Sequence, residues 1–390
     1  MTSGAPTNAR ATRTLTFGLI AAGFALYART LTFPPIWDDH YYVEGQAFLR
    51  HPGALAAVLS PRRFFEVLPT ANAARPAWLA SVLIDRAVFG DSFFALRASS
   101  VLWYGAGAAL LAALAWELTA DAAASAAAGL LFVAHPLHSE VVEIVAYRAD
   151  ALAFAFGIAA LLLHLRAWRS KHPRLVRAAS LAGFGLALLS KESAAAVPLL
   201  LPIVDSAAAA GTPWRARLRV YAAFAVLLIA YLYYRAPRSG YESKAGADVF
   251  TSLTRREPAL FAPVSRKSAA WADISERNDI GFGRSRDPRP WDADFSAPQT
   301  RLRTLTAVQG SNLLRLFWPW PLQGDYAPKP VRAWRDPRLA ATLAGWALLL
   351  AVAATARRRA PLLSAGLLWI PAALVPVSGI VVMRNLTADR

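Results

Sequence analysis

Long apolar runs alternate with short polar turns along most of the chain. Each run is close to the length of about 20 residues that a helix needs to cross a bilayer. The pattern predicts an all-α polytopic membrane protein with about nine transmembrane helices. We place the spans at Leu15–Phe33, Ser99–Trp116, a third ending near Ala134, Ala151–Leu165, Ala178–Leu189, Ala194–Ala209, Val220–Tyr234, Leu339–Ala354 and Leu362–Val381.

Two longer polar segments interrupt this pattern. The first loop, 34–98, contains RPAWLASVLIDRAVFG from Arg75, which is too short and too charged to span, so we expect an amphipathic interfacial helix. The second segment, 235–337, carries charges of both signs, and we interpret its apolar part at 305–322 as interfacial or re-entrant. The sequence therefore predicts an N-terminal membrane catalytic module at 1–234, an extracytoplasmic segment at 235–337 and C-terminal helices at 338–390.

Composition and charge fit a membrane protein. The chain is 56% hydrophobic and 17% charged, whereas soluble domains are about a quarter charged. Its net charge of +17 is also typical of nucleic-acid binding, but much of the excess lies in short turns such as 166–177 and 215–219, where it sets orientation. We therefore predict no nucleic-acid partner. The chain has no cysteine, which excludes disulfides and thiolate metal ligands.

This topology brings several ionisable residues to the extracytoplasmic ends of the spans. Such residues at membrane depth are costly and are functional candidates by default. Several on one face predict an active site there rather than a transport path through the middle of the spans. They are Asp38, Asp39, the segment His135–Asp150, Lys191, Glu192 and Arg384.

The two adjacent acids in PPIWDDHYY, Asp38 and Asp39, follow the first span. A positioned carboxylate can take the proton from an attacking hydroxyl, as a general base. A pair of acids can also hold a divalent cation. Two solvated loop acids would give the same sequence pattern, so these alternatives stay open at this point.

The motif HPLHSE gives a second candidate group, formed by His135, His138 and Glu140. Two histidines and a glutamate can bind zinc, and hydrogen bonding within the loop explains the same residues equally well. The metal requirement is therefore left open, with a divalent cation as the one candidate cofactor.

Basic residues near the same face give a third group. Arg148 and Asp150 either pair with each other or face a substrate. Lys191 and Glu192 either anchor a helix end at the interface or face the same substrate. Fixed cations in a low-dielectric site stabilise a phosphate leaving group. Arg75 and Arg384 would add to this positive charge.

The order of several motifs resembles that of a known family. WDDHYY, the Arg75-Pro76 pair, HPLHSEVVEIVAYRAD, LLSKES, LLRLFWPWPLQGDY and VPVSGIVVMRNLTADR are similar to blocks of the transmembrane and tetratricopeptide-repeat O-mannosyltransferases and their bacterial relatives. Those proteins belong to the C-type glycosyltransferases, which include the protein O-mannosyltransferases. In this resemblance Asp325 and Tyr326 correspond to the family's Asp-Tyr pair after the interfacial segment.

The resemblance implies transfer of a sugar, commonly mannose, from a polyprenyl-phosphate donor to a hydroxyl, often of Ser or Thr in a protein. It also implies an extracytoplasmic site, with Asp38 or Asp39 as base and Asp39 as an orienting or metal-contacting residue. If the leaving group is a lipid phosphate, one carboxylate base and fixed cations suffice, and the sugar carbon is inverted. This sequence has no tetratricopeptide repeats and stops at Arg390, so we expect a C-terminally truncated bacterial relative in the inner membrane. A lipid or polysaccharide glycosyltransferase and a non-enzymatic transporter or scaffold are the alternatives.

Overall fold

The computed structural model describes residues 9–44, 47–50, 53–59, 75–208, 213–235, 298–320, 322 and 329–378. These residues are helical or irregular, with no β-strand among them. They fall into two compact units, one containing the described residues up to 235 and one containing those from 298 onward. Each unit is described by itself below.

The first unit is built from ten α-helices in its described residues, joined by short 3₁₀ and irregular segments. They are α1 (Ala9–Tyr27), α2 (Ala54–Leu59), α3 (Pro76–Phe89), α4 (Phe93–Thr119), α5 (Ala122–Ala134), α6 (Ser139–Glu143), α7 (Arg148–Ala167), α8 (Pro173–Ser190), α9 (Val197–Ala207) and α10 (Trp214–Arg235). The second unit contributes α11 (Pro298–Phe317), α12 (Pro337–Arg359) and α13 (Pro361–Leu374).

The predicted all-α polytopic architecture is confirmed, and a helix lies at the position of each predicted span. Five helical stretches of the described residues are long and apolar enough to cross a membrane: Arg10–Thr32, Phe93–Thr119, Val145–Ala167, Trp214–Tyr234 and Pro337–Arg359. Two further apolar helices, Ala122–Ala134 and Pro361–Val377, are shorter. The chain is an integral membrane protein, and its helices are less uniform in length than the nine predicted spans.

Local sequence explains where several helices begin and end. Ser92 accepts a hydrogen bond from the Ala95 N–H at the start of α4, and Asp121 accepts one from the Ala124 N–H at 2.9 Å at the start of α5. Short polar side chains at these positions satisfy backbone donors that have no partner within the helix. α4 ends at Ala120, whose φ of 51° is the left-handed conformation common at helix C-termini.

α1 and α4 approach each other closely because one helix carries glycine at the contact. A Cβ atom on Gly105 would lie only 2.9 Å from the Ile20 Cα. Small residues let helix backbones approach closely, which favours association in membranes. The contact fixes the position of α1, and with it the start of the loop that carries Asp38 and Asp39.

At the opposite end of the first unit, charged side chains join the helices in pairs. Glu117 of α4 accepts a hydrogen bond from Arg166 of α7 at 2.7 Å. Near that end Asp205 of α9 is buried, lies 3.0 Å from the His164 Nε2 and accepts a hydrogen bond from the Tyr221 hydroxyl at 2.5 Å. These contacts hold α7, α9 and α10 together.

The predicted interfacial helix is α3, which begins at Pro76 directly after Arg75. One face is buried in the protein, where the Trp78 indole N–H donates to the Val145 carbonyl at 3.2 Å. Ile84, Val88 and Phe89 are exposed. The helix thus has a protein-facing side and an apolar outer side, as expected of a helix at the membrane interface.

In the second unit, α11 is not among the five candidate spans of the described residues, and the interfacial or re-entrant interpretation of 305–322 stays a prediction. α11 packs so closely on α12 that a Cβ atom on Gly310 would overlap the Thr342 side chain. The Thr304 hydroxyl accepts a hydrogen bond from the Val331 N–H at 2.9 Å, which ties the segment before α12 back onto α11.

Candidate active site

A fully buried arginine, Arg97, organises the loop that follows α1. Its guanidinium donates to the carbonyls of Phe33 and Pro34, and to the Glu143 carbonyl at 3.1 Å. Its Nη2 also lies 3.6 Å from a carboxylate oxygen of Asp39. One cation in the second turn of α4 thereby fixes both the start of the loop and the segment before α7.

The two adjacent acids have different environments. Asp39 is fully buried, and its Oδ1 accepts a hydrogen bond from the Ala146 N–H at 2.9 Å. Burial raises the pKa of Asp39, although this hydrogen bond and the nearby Arg97 act in the opposite direction. Asp38 is half-buried and retains access to solvent. Of the pair, only Asp39 is fully enclosed by the protein, whereas Asp38 keeps part of its surface exposed.

Arg148 has a different partner from the one that its sequence position suggested. Its side chain is fully buried, and its Nη1 donates to Asp85 at 2.6 Å. Its Nε donates to the Ser100 hydroxyl at 2.9 Å, and its Nη2 donates to the Leu96 carbonyl. The proposed pairing with Asp150 is wrong, because Asp85 on α3 supplies the closer carboxylate. A guanidinium so enclosed holds α3, α4 and α7 together and presents no surface to a donor phosphate.

Asp150 instead pairs with the lysine of the SKE motif. The Lys191 Nζ lies 2.5 Å from both carboxylate oxygens of Asp150. Burial lowers the pKa of Lys191, and the neighbouring Asp150 opposes this shift. Lys191 is 9% exposed, so the pair lies at the edge of the protein interior.

The next residue of the motif, Glu192, pairs with Arg75 in a two-point contact. The Arg75 Nη2 and Nε donate to the two Glu192 oxygens at 2.9 and 3.3 Å. Their side chains are 17% and 28% exposed. Parallel bonds of this kind fix the orientation of both groups, so the SKE motif joins α8 to the start of α3 and to α7.

These contacts bring most of the described candidate residues to one end of the first unit. The Asp39–Ala146 hydrogen bond joins the acidic loop to the segment that leads into α7. Asp150 in the first turn of α7 holds Lys191, and Glu192 holds Arg75. Two cations and two anions therefore lie side by side beyond the acidic loop, and the cations are already paired. The sequence predicts an excess of positive charge here, whereas the two described ion pairs have balanced charges.

The histidine motif forms hydrogen bonds within its own loop. His135 Nδ1 accepts from the Leu137 N–H at 3.3 Å, and His138 Nδ1 lies 2.9 Å from the Phe132 carbonyl oxygen and 3.1 Å from the Tyr104 hydroxyl. Burial lowers the pKa of His138 to about 4. Within the described residues no three His, Asp or Glu side chains are grouped to hold a metal ion. Of the two explanations of HPLHSE, loop-shaping hydrogen bonds fit His135 and His138, whereas no described zinc site includes Glu140.

Three further candidates, Asp325, Tyr326 and Arg384, lie outside the described residues. Their roles stay predictions from the resemblance alone.

Comparison with known families adds an independent observation to this geometry. Residues 74–237 match the family model of dolichyl-phosphate-mannose-protein mannosyltransferase. The resemblance to protein O-mannosyltransferases is thereby confirmed over this stretch of the chain. It supports a membrane glycosyltransferase of the mannosyltransferase type. Searches of curated proteins and of solved structures found no match.

The stretch that matches the mannosyltransferase family contains eight of the candidate residues. They are Arg75, His135, His138, Glu140, Arg148, Asp150, Lys191 and Glu192. Asp38 and Asp39 precede the matched stretch, but Asp39 is bonded to Ala146 inside it. The acidic loop lies outside the matched stretch of sequence but contacts it directly through this hydrogen bond.

Sequence reasoning missed Arg97 and Asp85, the two partners that fix the site from α4 and α3. Each is a charged residue inside an apolar helical stretch, and such residues normally find a partner or a polar cavity. That signal was present in the sequence. It does not say which partner each residue selects, because the partners come from segments 46 or more residues away.

Proposed function

We propose that this protein transfers a hexose, in the first place mannose, from a polyprenyl-phosphate donor to a hydroxyl acceptor with inversion, and that Asp38 is the general base. The observation that carries the proposal is the difference in burial between the two adjacent acids. Asp39 is buried against Arg97 and Ala146, whereas Asp38 beside it reaches the surface. The mannosyltransferase match over residues 74–237 supports the reaction class.

The proposed reaction is a single displacement. The acceptor oxygen attacks the anomeric carbon, and the bond between that carbon and the phosphate oxygen breaks. The electron pair of that bond leaves with the lipid phosphate, and the acceptor proton passes to the Asp38 carboxylate. A phosphate leaves as a stable anion, so the reaction needs a base but no general acid.

Asp38 suits the role of base better than Asp39 for a physical reason. A general base must come within about 2.6–3.2 Å of the hydroxyl it deprotonates. Asp39 has no exposed surface, and one of its oxygens is already occupied by the Ala146 N–H. Asp39 therefore acts as a positioning residue, which keeps the loop attached to the segment before α7.

Arg75 and Lys191 are the cations best placed to hold the donor phosphate. Both keep part of their surface exposed, and Arg75 lies close enough to influence the pKa of Lys191. Glu192 and Asp150 orient these cations before the donor arrives. Fixed cations stabilise the charge that develops on a leaving phosphate without reorganising during the reaction.

The acceptor is proposed to be a Ser or Thr hydroxyl of a protein, and the site is proposed to face the outside of a bacterial inner membrane. The distribution of basic residues supports this orientation. Arg166 and Arg169 lie at the end of α7 opposite to Asp150, and short basic turns stay in the cytoplasm.

The experiment that tests this function is sugar transfer in membranes containing residues 1–390. Radiolabelled mannose is supplied either as polyprenyl-phosphate-mannose or as a nucleotide-mannose, and label is followed separately into protein, lipid and polysaccharide. We expect label from the lipid donor to enter protein, to be lost in Asp38→Asn and to persist in Glu44→Gln, an exposed acid of the same loop. Transfer from the nucleotide sugar alone would contradict the proposed lipid-phosphate donor. Label found only in lipid or glycan would contradict the proposed protein acceptor.

A further inference from the structure

Trp37, immediately before the proposed base, has an unusual backbone conformation. Its φ is 49°, and Ala120 is the only other non-glycine residue with positive φ in the described part of the chain. Ala120 ends a helix, where this conformation is common. For a bulky residue in a loop it is a genuine outlier. Such conformations persist only where the surroundings impose them, and they concentrate at functional sites.

The surroundings of Trp37 do impose its conformation. Arg97 holds the Phe33 and Pro34 carbonyls on one side of it. On the other side, the Asp39 N–H donates to the Ile36 carbonyl at 2.9 Å and the His40 N–H donates to the Trp37 carbonyl at 3.2 Å. The loop is thus fastened both before and after Trp37.

Packing does not explain why this position carries an indole. The Trp37 side chain is 53% exposed, so the strained backbone does not serve to bury it. A strained, exposed aromatic residue beside a proposed base is better explained by contact with a substrate. The competing explanation is a membrane anchor, since tryptophan is enriched at bilayer interfaces.

The reaction brings the transferred sugar close to Trp37. The acceptor oxygen must lie about 3 Å from the Asp38 carboxylate, and the anomeric carbon must lie about 3–3.5 Å from that oxygen. The Cα atoms of Trp37 and Asp38 are about 3.8 Å apart. Side chains of these two neighbouring residues that face the same side of the loop can therefore both reach the sugar ring.

We propose that the indole of Trp37 contacts the donor sugar and stabilises the positive charge that develops at its anomeric carbon. This inference rests on the proposed function. Glycosyl transfer passes through an oxocarbenium-like state, and the negative face of an aromatic ring attracts positive charge, most strongly for tryptophan. Because the charge is small in the bound donor and large in the transition state, the contact acts on kcat more than on the donor KM.

The test compares Trp37→Phe, Trp37→Ala and Trp37→Gly with wild type, in the full chain and with polyprenyl-phosphate-mannose as donor. We expect kcat to fall by about tenfold in the Ala and Gly variants and by about threefold in the Phe variant, with little change in donor KM. Gly is included because it adopts positive φ without cost, so it removes the indole while preserving the loop. The matched control is Trp214→Ala, an exposed tryptophan at the start of α10, which should keep the wild-type kcat.

Three results would overturn the inference. Wild-type kcat in Trp37→Gly would mean that only the backbone conformation matters. Wild-type kcat in folded Trp37→Ala, or a rise in donor KM with kcat unchanged, would mean that the indole contacts lipid. If wild type transfers mannose and Asp38→Asn does not, these results reject the role of Trp37 while the proposed function stands. Absence of transfer by folded wild type rejects both.

Discussion

Replacing Arg148 tests whether this buried cation holds the fold together or binds substrate. Arg148→Met removes a guanidinium that donates to Asp85, Ser100 and the Leu96 carbonyl. The Asp85 carboxylate is only 12% exposed, so the substitution leaves a nearly buried charge without its cation. Removing one partner of a buried ion pair costs about 3–5 kcal/mol, and we expect a loss of this size in the free energy of unfolding.

The double variant gives the sharper test. Asp85→Leu alone leaves the buried Arg148 guanidinium without its anion and should lower the free energy of unfolding by a similar amount. Replacing both partners of a buried ion pair with apolar residues is often close to neutral. We therefore expect Arg148→Met with Asp85→Leu to be more stable than either single variant. The assay is equilibrium unfolding in mixed micelles of dodecylmaltoside and SDS, followed by far-ultraviolet circular dichroism.

Two outcomes would refute this reasoning. If the costs of the single variants add up in the double variant, the two residues are not coupled in the way the structure shows. If Arg148→Met unfolds like wild type and only weakens binding of the donor, then Arg148 is a substrate-binding residue and the structural interpretation is wrong.

Three other predictions concern separate parts of the molecule. Because the pKa of His138 is lowered from 6.5 to about 4, the unfolded chain binds a proton at this residue before the folded protein does as the pH falls. The free energy of unfolding should therefore drop by up to about 3 kcal/mol between about pH 6.5 and 4. The same pH dependence in His138→Phe would contradict this. Gly310→Ala would place a methyl group against Thr342 and should destabilise the protein by about 1–3 kcal/mol. The control Gly366→Ala, where the added methyl group meets open space, should not. Equal melting temperatures of the two variants would refute the close packing at Gly310. Glu192→Gln removes the charge that orients Arg75 and should raise the donor KM by about tenfold. An unchanged KM in the transfer assay would mean that this ion pair does not orient Arg75 for donor binding.

Much of the fold could be predicted because span length and the distribution of basic residues are local properties. The apolar runs predict helices where the structure has them, and the orientation that the short basic turns indicate stays a prediction. Helix bounds were less predictable: α5 has 13 residues because His135-Pro136 ends it, whereas α4 extends to 27 residues by including Arg97 near its start. Inclusion of that arginine depends on the distant carbonyls that it binds.

The pairing of charged residues within the site could not be predicted either, because it also depends on contacts between residues that are distant in the sequence. Arg148 is two residues from Asp150, yet each pairs with a residue far away in the sequence: Arg148 with Asp85 on α3, and Asp150 with Lys191 just after α8. Likewise, two identical neighbouring acids differ in burial: Asp39 is enclosed beside Arg97, whereas Asp38 is half-buried. Sequence spacing identifies which residue types are present, and packing decides which of them stay accessible.

The most direct test of the central claim compares Asp38→Asn with Asp39→Asn in one transfer assay, with rates normalised to folded protein. The base contributes about 10²–10⁴-fold to such a reaction, so Asp38→Asn should lose transfer by at least about a hundredfold while its unfolding free energy stays near that of wild type. Asp39→Asn should instead lose stability, because it removes the anion beside Arg97, and its folded fraction should still transfer mannose. Full loss of transfer in folded Asp39→Asn, together with retained transfer in Asp38→Asn, would contradict the account.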